Sequence, residues 1–239
     1  MVGSALDARR RGAAERHEEG HRGGAPGRHP ETEAGSVTEI RHVVFDLGQV
    51  LVRWDPEAPY RRLIPDAEER RRFLAEVCNH DWNLEQDRGR GWREAENLLI
   101  ARHPDKADLI RAYRANWHEM IPGPIEENVA IAETLMAKDI DVTALTNWAA
   151  DTFDEISERL PLFGKFRGVT VSGKIRLVKP DPAIYHHHAA THGVDPAATL
   201  FFDDSPRNVE GARAVGWNAE LYVTTEKLRD DLRRHGLME

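Results

Sequence analysis

Residues 40–56 read Ile40-Arg41-His42-Val43-Val44-Phe45-Asp46-Leu47-Gly48-Gln49-Val50-Leu51-Val52-Arg53-Trp54-Asp55-Pro56. The run from Ile40 to Phe45 is short, apolar and ends at Asp46, the pattern of a buried strand. Val50 to Val52 carries the apolar character past a Gly-containing turn. Asp55-Pro56 reads as a helix start, with Asp as N-cap and Pro at the first helical position.

Downstream, residues 57 to about 127 are rich in Arg, Glu, Ala and Leu and show no strand-like alternation. Gly89, Gly91, Pro104 and Pro122-Gly123-Pro124 punctuate them, which predicts about four helices ending at the Pro-Gly-Pro. From Val129 the pattern changes to alternating units. Helices are expected over 129–137, 151–160, 181–192, 206–215 and 226–234, with strands over 140–145, 168–171, 199–202 and 219–223. Repeating β-α units imply a parallel sheet covered by helices on both faces. The expected fold is therefore α/β: a doubly wound, Rossmann-like parallel sheet with an inserted α-helical cap. The expected boundaries are a core over 38–56 and 128–239 and a cap over 57–127.

Upstream, there is no Ile, Phe, Trp or Tyr before Ile40. A segment so poor in core-forming residues cannot bury a core, so residues 1–37 are expected to be a disordered tail. It lacks the apolar stretch of a secretory signal. Six acids (Asp7, Glu15, Glu18, Glu19, Glu31, Glu33) balance six arginines, unlike a transit peptide or a basic nucleic-acid arm. Val37 opens the part that reads as folded, and an alternative bacterial start codon there is an expectation. No apolar run is long enough to span a membrane. Cys78 is the only cysteine, which excludes an internal disulfide and fits a cytoplasmic protein. The net charge of −8 gives no global attraction for phosphate esters, so a phosphate site must supply positive charge locally.

Ligands of such sheets sit at the carboxyl ends of the strands. Three strand ends carry polar residues: Asp46, Thr146-Asn147 and Asp203-Asp204. A single strand-ending Asp is most often a turn cap. Two adjacent carboxylates repel each other without a cation, and a third converging on them calls for a hard divalent ion such as Mg²⁺. Asp204-Ser205-Pro206 also reads as a helix start, with Ser205 as cap. Lys179 lies in Val178-Lys179-Pro180-Asp181-Pro182, where the prolines stiffen the loop and Asp181-Pro182 opens a helix. A lysine held there can set a point charge against a phosphoryl group.

The order Phe45-Asp46-Leu47-Gly48-Gln49-Val50, Leu145-Thr146-Asn147, Lys179-Pro180-Asp181-Pro182 and Phe202-Asp203-Asp204-Ser205 with Asn208 resembles the four signature motifs of the haloacid dehalogenase (HAD) superfamily. The resemblance covers about residues 40 to 223. The helical insert is similar to that superfamily's small α-helical cap. The Asp-Leu-Gly-Gln-Val form is similar to the branch containing sugar-phosphate phosphatases such as α-glucose-1-phosphatase. The resemblance implies a Mg²⁺-dependent phosphatase acting on a small phosphorylated metabolite. Asp46 would be the nucleophile that becomes an aspartyl-phosphate. Mg²⁺ would be held by Asp46, the Gly48 carbonyl and Asp204, with Asp203 as ligand or support. Thr146, Asn147 and Lys179 would hold the phosphoryl oxygens, and Asn208 would orient the acidic loop.

Gly48 departs from the family, which usually places a second Asp there as general acid and base. The role would fall to water, to Gln49 as a positioner, to a cap residue or to Asp55, though Asp55 reads better as a cap. A site without an acid should favour aryl over alkyl phosphates. Trp148 is expected to wall the substrate pocket, and Trp82, Trp92 and Trp117 to be core or hinge packing. Asp87-Arg88-Gly89-Arg90 reads as a solvated polar turn from which Arg88 or Arg90 reaches a substrate's distal group. His186-His187-His188 cannot share one ion, because consecutive helical residues point about 100° apart; a solvated helix face is expected. Two other readings are a metal-free haloacid dehalogenase and a binding module that has lost its acid/base. Gly48, where such dehalogenases carry an aromatic residue, and the Asp203-Asp204 pair weigh against the first, and the intact Asp46, Lys179 and Asp203-Asp204 weigh against the second.

Overall fold

Val43, Val44 and Phe45 are wholly excluded from solvent because their strand, β1 (His42–Phe45), lies at the centre of a five-stranded sheet. The other strands are β2 (Asp141–Thr146), β3 (Val169–Val171), β4 (Thr199–Asp203) and β5 (Asn218–Leu221). Their spatial order is β3-β2-β1-β4-β5, and every pairing is parallel. A central parallel strand is covered on both faces, so its sequence is continuously apolar rather than alternating. This computed structural model describes residues 39–239. The expected disordered tail over 1–37, and the expected start at Val37, lie outside the described residues.

Alternate residues of β1 face two different cores. Val43 and Phe45 join one cluster and Val44 the other. Helices α1 (Tyr60–Leu63), α2 (Ala67–Glu76), α3 (His80–Asp87), α4 (Trp92–Arg102) and α5 (Ala107–Ala115) all fall between β1 and β2, before α6 (Glu126–Ala137). After β2 come α7 (Ala150–Ser157), α8 (Ser172–Ile175), α9 (Pro182–His192), α10 (Pro206–Ala214) and α11 (Thr225–Arg234). Val129, Ile131 and Leu135 of α6 and Leu228 and Leu232 of α11 fill the first cluster. Ile184 and Tyr185 of α9 and Val209 and Ala212 of α10 fill the second. The doubly wound sheet with an inserted helical segment is thus as the sequence reads.

The first helix starts later than expected. Residues 56–59 are turns and α1 opens at Tyr60. Asp55 still caps, but it caps a turn: its Oδ1 accepts from the Glu57 amide at 3.1 Å and its Oδ2 pairs with Arg61. Within the insert, Tyr60, Phe73, Trp82, Trp92 and Tyr113 form an aromatic core with centroids 5.1 to 6.4 Å apart. Asp66 and Asn79 cap α2 and α3 by accepting from Glu69 and Trp82 amides. Asp181 caps α9 as expected, with Pro182 in the first turn. Ser205 precedes α10, but its hydroxyl makes no cap bond.

The histidine run divides. His186 is exposed and His187 half-buried, while His188 is fully buried between Thr143 and Thr170, bonded through its two ring nitrogens at 2.9 and 2.8 Å. The solvated face expected for all three therefore holds only for the first two. His188 is a core residue, and burial holds its pKa down at about 3, so it stays neutral.

Candidate active site

Strand register brings the acidic residues together. Phe45 pairs with Phe202, their rings stack at 5.5 Å, and the Asp46 amide donates to the Phe202 carbonyl at 2.9 Å. The next residue on each strand is therefore a carboxylate, Asp46 beside Asp203, at the point where the strand order reverses. One carboxylate oxygen from each of Asp46, Asp203 and Asp204 lies within 4.8 Å of the others. After Asp46 the chain turns sharply: Gln49 takes a left-handed φ of 58°, its amide donates to Val52, and Gly48 bridges Val52. Its side-chain Oε1 accepts from the Trp54 amide at 3.3 Å.

Lys179 enters from the loop before α9. Its Nζ lies 3.0 Å from Asp46 Oδ1 and 2.6 Å from Asp203 Oδ2, and donates to the Leu145 carbonyl at 3.0 Å. Asn147 fastens that loop from both sides: its Oδ1 accepts from the Lys179 amide at 2.8 Å and its Nδ2 donates to the Lys179 carbonyl at 3.0 Å. Gly211 of α10 lets the loop pack closely, since a Cβ there would lie 2.8 Å from the Pro180 carbonyl oxygen. Asp203 Oδ1 accepts from the Ser205 amide and from Asn208 Nδ2, each at 2.9 Å. Asn208 thus holds the Asp203 carboxylate from the first turn of α10.

A cavity of about 280 Å³ opens over these groups. Asp46, Gly48, Asn147, Trp148, Lys179, Asp204 and Asn208 line it, together with Trp54 and Trp117. Thr146 ends β2 and is 1% exposed. Two expectations need correcting. Arg88 does not line the cavity, being exposed and paired with Glu85. Arg90 is turned inward to Gln86 and the Trp82 carbonyl. Trp117 is more than packing, because Trp54, Trp117 and Trp148 stand in a row with centroids 5.5 Å apart along the cavity wall.

The sequence profile of the haloacid dehalogenase-like hydrolases matches residues 40–216, most of the chain. The chain belongs to that family. Among curated hydrolases, a flavin mononucleotide hydrolase of Arabidopsis thaliana is 29% identical over 107 residues, 45% of this chain and 43% of that protein. The chain therefore spans less than half the length of that relative. A sesquiterpene phosphatase of Aspergillus oryzae is 24% identical over 75% of this chain and 88% of its own. Solved HAD structures share the fold. An enzyme from Bacteroides thetaiotaomicron, crystallised with magnesium and inorganic phosphate, superposes with a TM-score of 0.57 at 19% identity, over 77% of this chain and 94% of that one. The L-2-haloacid dehalogenase of Xanthobacter autotrophicus gives 0.55 at 22%, over 82% and 83%.

The electrostatics of this HAD site are unbalanced. Burial pushes the Asp46 pKa up to about 8; Lys179 opposes the shift, and Asp203 and Asp204 add to it. Asp204 is raised as well, by burial and then by Asp203. Burial alone would lower the Lys179 pKa, but Asp203 and Asp46 outweigh it and hold the ammonium charged. Fully ionised, three carboxylates against one ammonium would carry an excess of two negative charges. Like charges this close repel by several kcal/mol at the effective dielectric of a protein. An all-oxygen donor set with surplus negative charge fits a hard divalent cation.

Asp87 departs most from its sequence reading. The polar turn it was expected to form is solvated only in part: Arg88 and Gly89 are exposed, but Asp87 is 8% exposed and lines the cavity. His80, Asn83, Leu84 and Asp87 all face the cavity from one stripe of α3. That i, i+3, i+4, i+7 spacing was the signal available in the sequence.

Proposed function

We propose that this protein is a Mg²⁺-dependent phosphatase that hydrolyses a small phosphomonoester through an aspartyl-phosphate on Asp46. The observation that carries the reading is the set of three carboxylates within 4.8 Å of one another, joined by a buried lysine. A metal-free dehalogenation would gain nothing from such a cluster. Asp46, Asp204 and the Gly48 carbonyl would hold the ion, with Asp203 behind them holding Lys179. A bound Mg²⁺ would neutralise charge on the phosphoryl oxygens and orient that group.

The chain's own residues account for the remaining work. One Asp46 oxygen accepts from the Leu47 amide at 2.7 Å, which fixes the carboxylate's rotation. Lys179 sets a charge beside the attacking oxygen. Asn147 is a positioning residue, since both ends of its amide are engaged by the Lys179 backbone. Residues 57–127 act as the cap over a core of 38–56 and 128–239, and the three-tryptophan wall shields the cavity from water. That wall receives an apolar face, which a sugar ring presents as well as a larger organic group. The names of the two curated relatives, a flavin mononucleotide hydrolase and a sesquiterpene phosphatase, support the reaction class.

Chelation tests the metal. EDTA should remove phosphate release across a panel of phosphorylated metabolites, sugar 1-phosphates included, and Mg²⁺ should restore it. Asp204→Ala should raise the Mg²⁺ concentration needed for half-maximal activity by roughly tenfold or more. Activity indifferent to chelation would count against the phosphatase and for dehalogenase-type chemistry.

A further inference from the structure

Phosphoryl transfer from an alkyl ester leaves an alkoxide that must be protonated, and Gly48 offers no proton. The space there is open: a Cβ on Gly48 would meet nothing within 4 Å. Of the titratable residues lining the cavity, Asp46 is the nucleophile, Lys179 is locked between carboxylates and Asp204 belongs to the metal cluster. Arg207 does not give up its proton. Two groups remain, His80 at the exposed start of α3 and Asp87 at its buried end.

We infer that Asp87, supplied by the helical insert, is the general acid and base of this site; the inference rests on the phosphatase reading. Its position is fixed from three sides. Asn83 Nδ2 donates to Asp87 Oδ2 at 3.2 Å, and Asn83 Oδ1 accepts from the Tyr113 hydroxyl at 3.3 Å. The Asp87 carbonyl accepts from Ser172 Oγ at 2.7 Å, and that hydroxyl accepts from the Trp148 amide at 2.8 Å. The Ala149 amide faces its carboxylate and favours the charged form. The end of α3 is thereby fastened to the loop that follows β2. Gly173 permits the close approach, since a Cβ there would lie 2.5 Å from the Ala149–Ala150 linkage at the Ala150 nitrogen.

The surroundings give Asp87 the right proton affinity. Burial pushes its pKa up to about 7, against the opposing Ala149 amide and Lys179. The charged or titratable groups facing it are Lys179 from the proline loop, Tyr113 from α5 and, across the cavity, Asp46, Asp204 and His80. An acid at a helix C-terminus also meets the negative end of the dipole, which favours its protonated form. A carboxyl poised near neutrality can give and take a proton in one cycle.

The step balances. As Asp46 attacks phosphorus, the phosphorus–oxygen bond to the leaving group breaks and Asp87 gives its proton to that oxygen. Water then attacks the aspartyl-phosphate, Asp87 takes the water's proton, and the phosphorus–Asp46 bond breaks to release phosphate.

The test uses the full chain with Mg²⁺, glycerol 2-phosphate and 4-nitrophenyl phosphate. Asp87→Asn keeps an oxygen to face the Ala149 amide. It should lower kcat/KM on the alkyl ester by about 10²–10⁴-fold. On the aryl ester, the first-turnover burst of nitrophenolate should persist while steady-state turnover slows and phosphoenzyme accumulates. With unaltered enzyme, kcat/KM on the alkyl ester should fall as pH rises through about 7, and Asp87→Asn should remove that limb. Gly48→Asp in the Asp87→Asn background should restore part of the alkyl activity. An active wild type whose rate and pH limb survive Asp87→Asn, or lose that limb with His80→Gln instead, overturns the assignment alone. A wild type that turns over the aryl ester but not the alkyl one overturns it too, by showing that no acid is present. Absence of phosphate release from both esters by the unaltered enzyme overturns the phosphatase reading and this inference together.

Discussion

Asp46→Asn is expected to remove turnover by roughly 10⁴–10⁶-fold, the scale on which covalent mechanisms lose activity when their nucleophile is taken away. An amide oxygen does not displace an alkoxide from phosphorus. The fold should survive. Asn retains an oxygen to accept from the Leu47 amide at 2.7 Å. It also removes a carboxyl whose ionisation is disfavoured here, first by burial and then by Asp203 and Asp204 beside it, which together push the Asp46 pKa up to about 8. The variant's melting temperature should accordingly equal or exceed that of the parent when no divalent ion is added. Phosphate release measured beside a thermal melt decides the matter: wild-type turnover in a folded variant would end the covalent mechanism proposed here.

Lys179→Ala should damage both stability and activity. The side chain is fully buried and its ammonium touches Asp46, Asp203 and the Leu145 carbonyl. Removing one partner from a buried ion network costs about 3–5 kcal/mol, because the remaining charges stay desolvated without compensation. In a domain of this size that corresponds to a melting temperature lower by roughly 10 °C. Activity should fall together with stability, as the phosphoryl group loses its adjacent cation. In the double variant with Asp46→Asn the loss from Lys179→Ala should be smaller than in the single variant, since one carboxylate has become neutral. Strict additivity in urea denaturation would mean that the Lys179–Asp46 contact contributes nothing.

The sheet and the acidic site were legible for a shared reason. Parallel strands buried on both faces are written as apolar runs, and the residue that ends each run stands at the ligand-binding edge. His42 to Phe45 followed by Asp46, and Thr199 to Phe202 followed by Asp203, announce themselves in this way. Asp87 announces itself far less. It ends a polar helix and precedes Arg88-Gly89, which reads as surface. The spacing of His80, Asn83, Leu84 and Asp87 marks one face of α3, but what buries that face at Asp87 is Ala149 and Ser172, more than sixty residues later. Asn147 carries a second task that its place at a strand end does not announce: its amide fastens the proline loop from both sides. His188 was misread because three consecutive histidines look solvated, whereas only a view of β2 and β3 supplies the two threonines that receive its ring. Arg88 failed as a substrate contact for the converse reason, since a long cation beside a turn finds solvent and a neighbouring Glu85 more readily than a cavity.

The row formed by Trp54, Trp117 and Trp148 has an optical consequence. These are half of the six tryptophans in the chain, they stand 5.5 Å apart, and all three line the cavity. Indole emission responds to nearby water and charge, and neighbouring indoles at this spacing exchange excitation. The chain therefore carries a fluorescence reporter in the wall of its own pocket. Titrating the inactive Asp46→Asn variant with a phosphate ester should change its tryptophan emission saturably, with no added dye, and replacing Trp117 by Phe should remove most of the signal. A spectrum unmoved by a ligand that calorimetry shows to be bound would place that ligand away from the row.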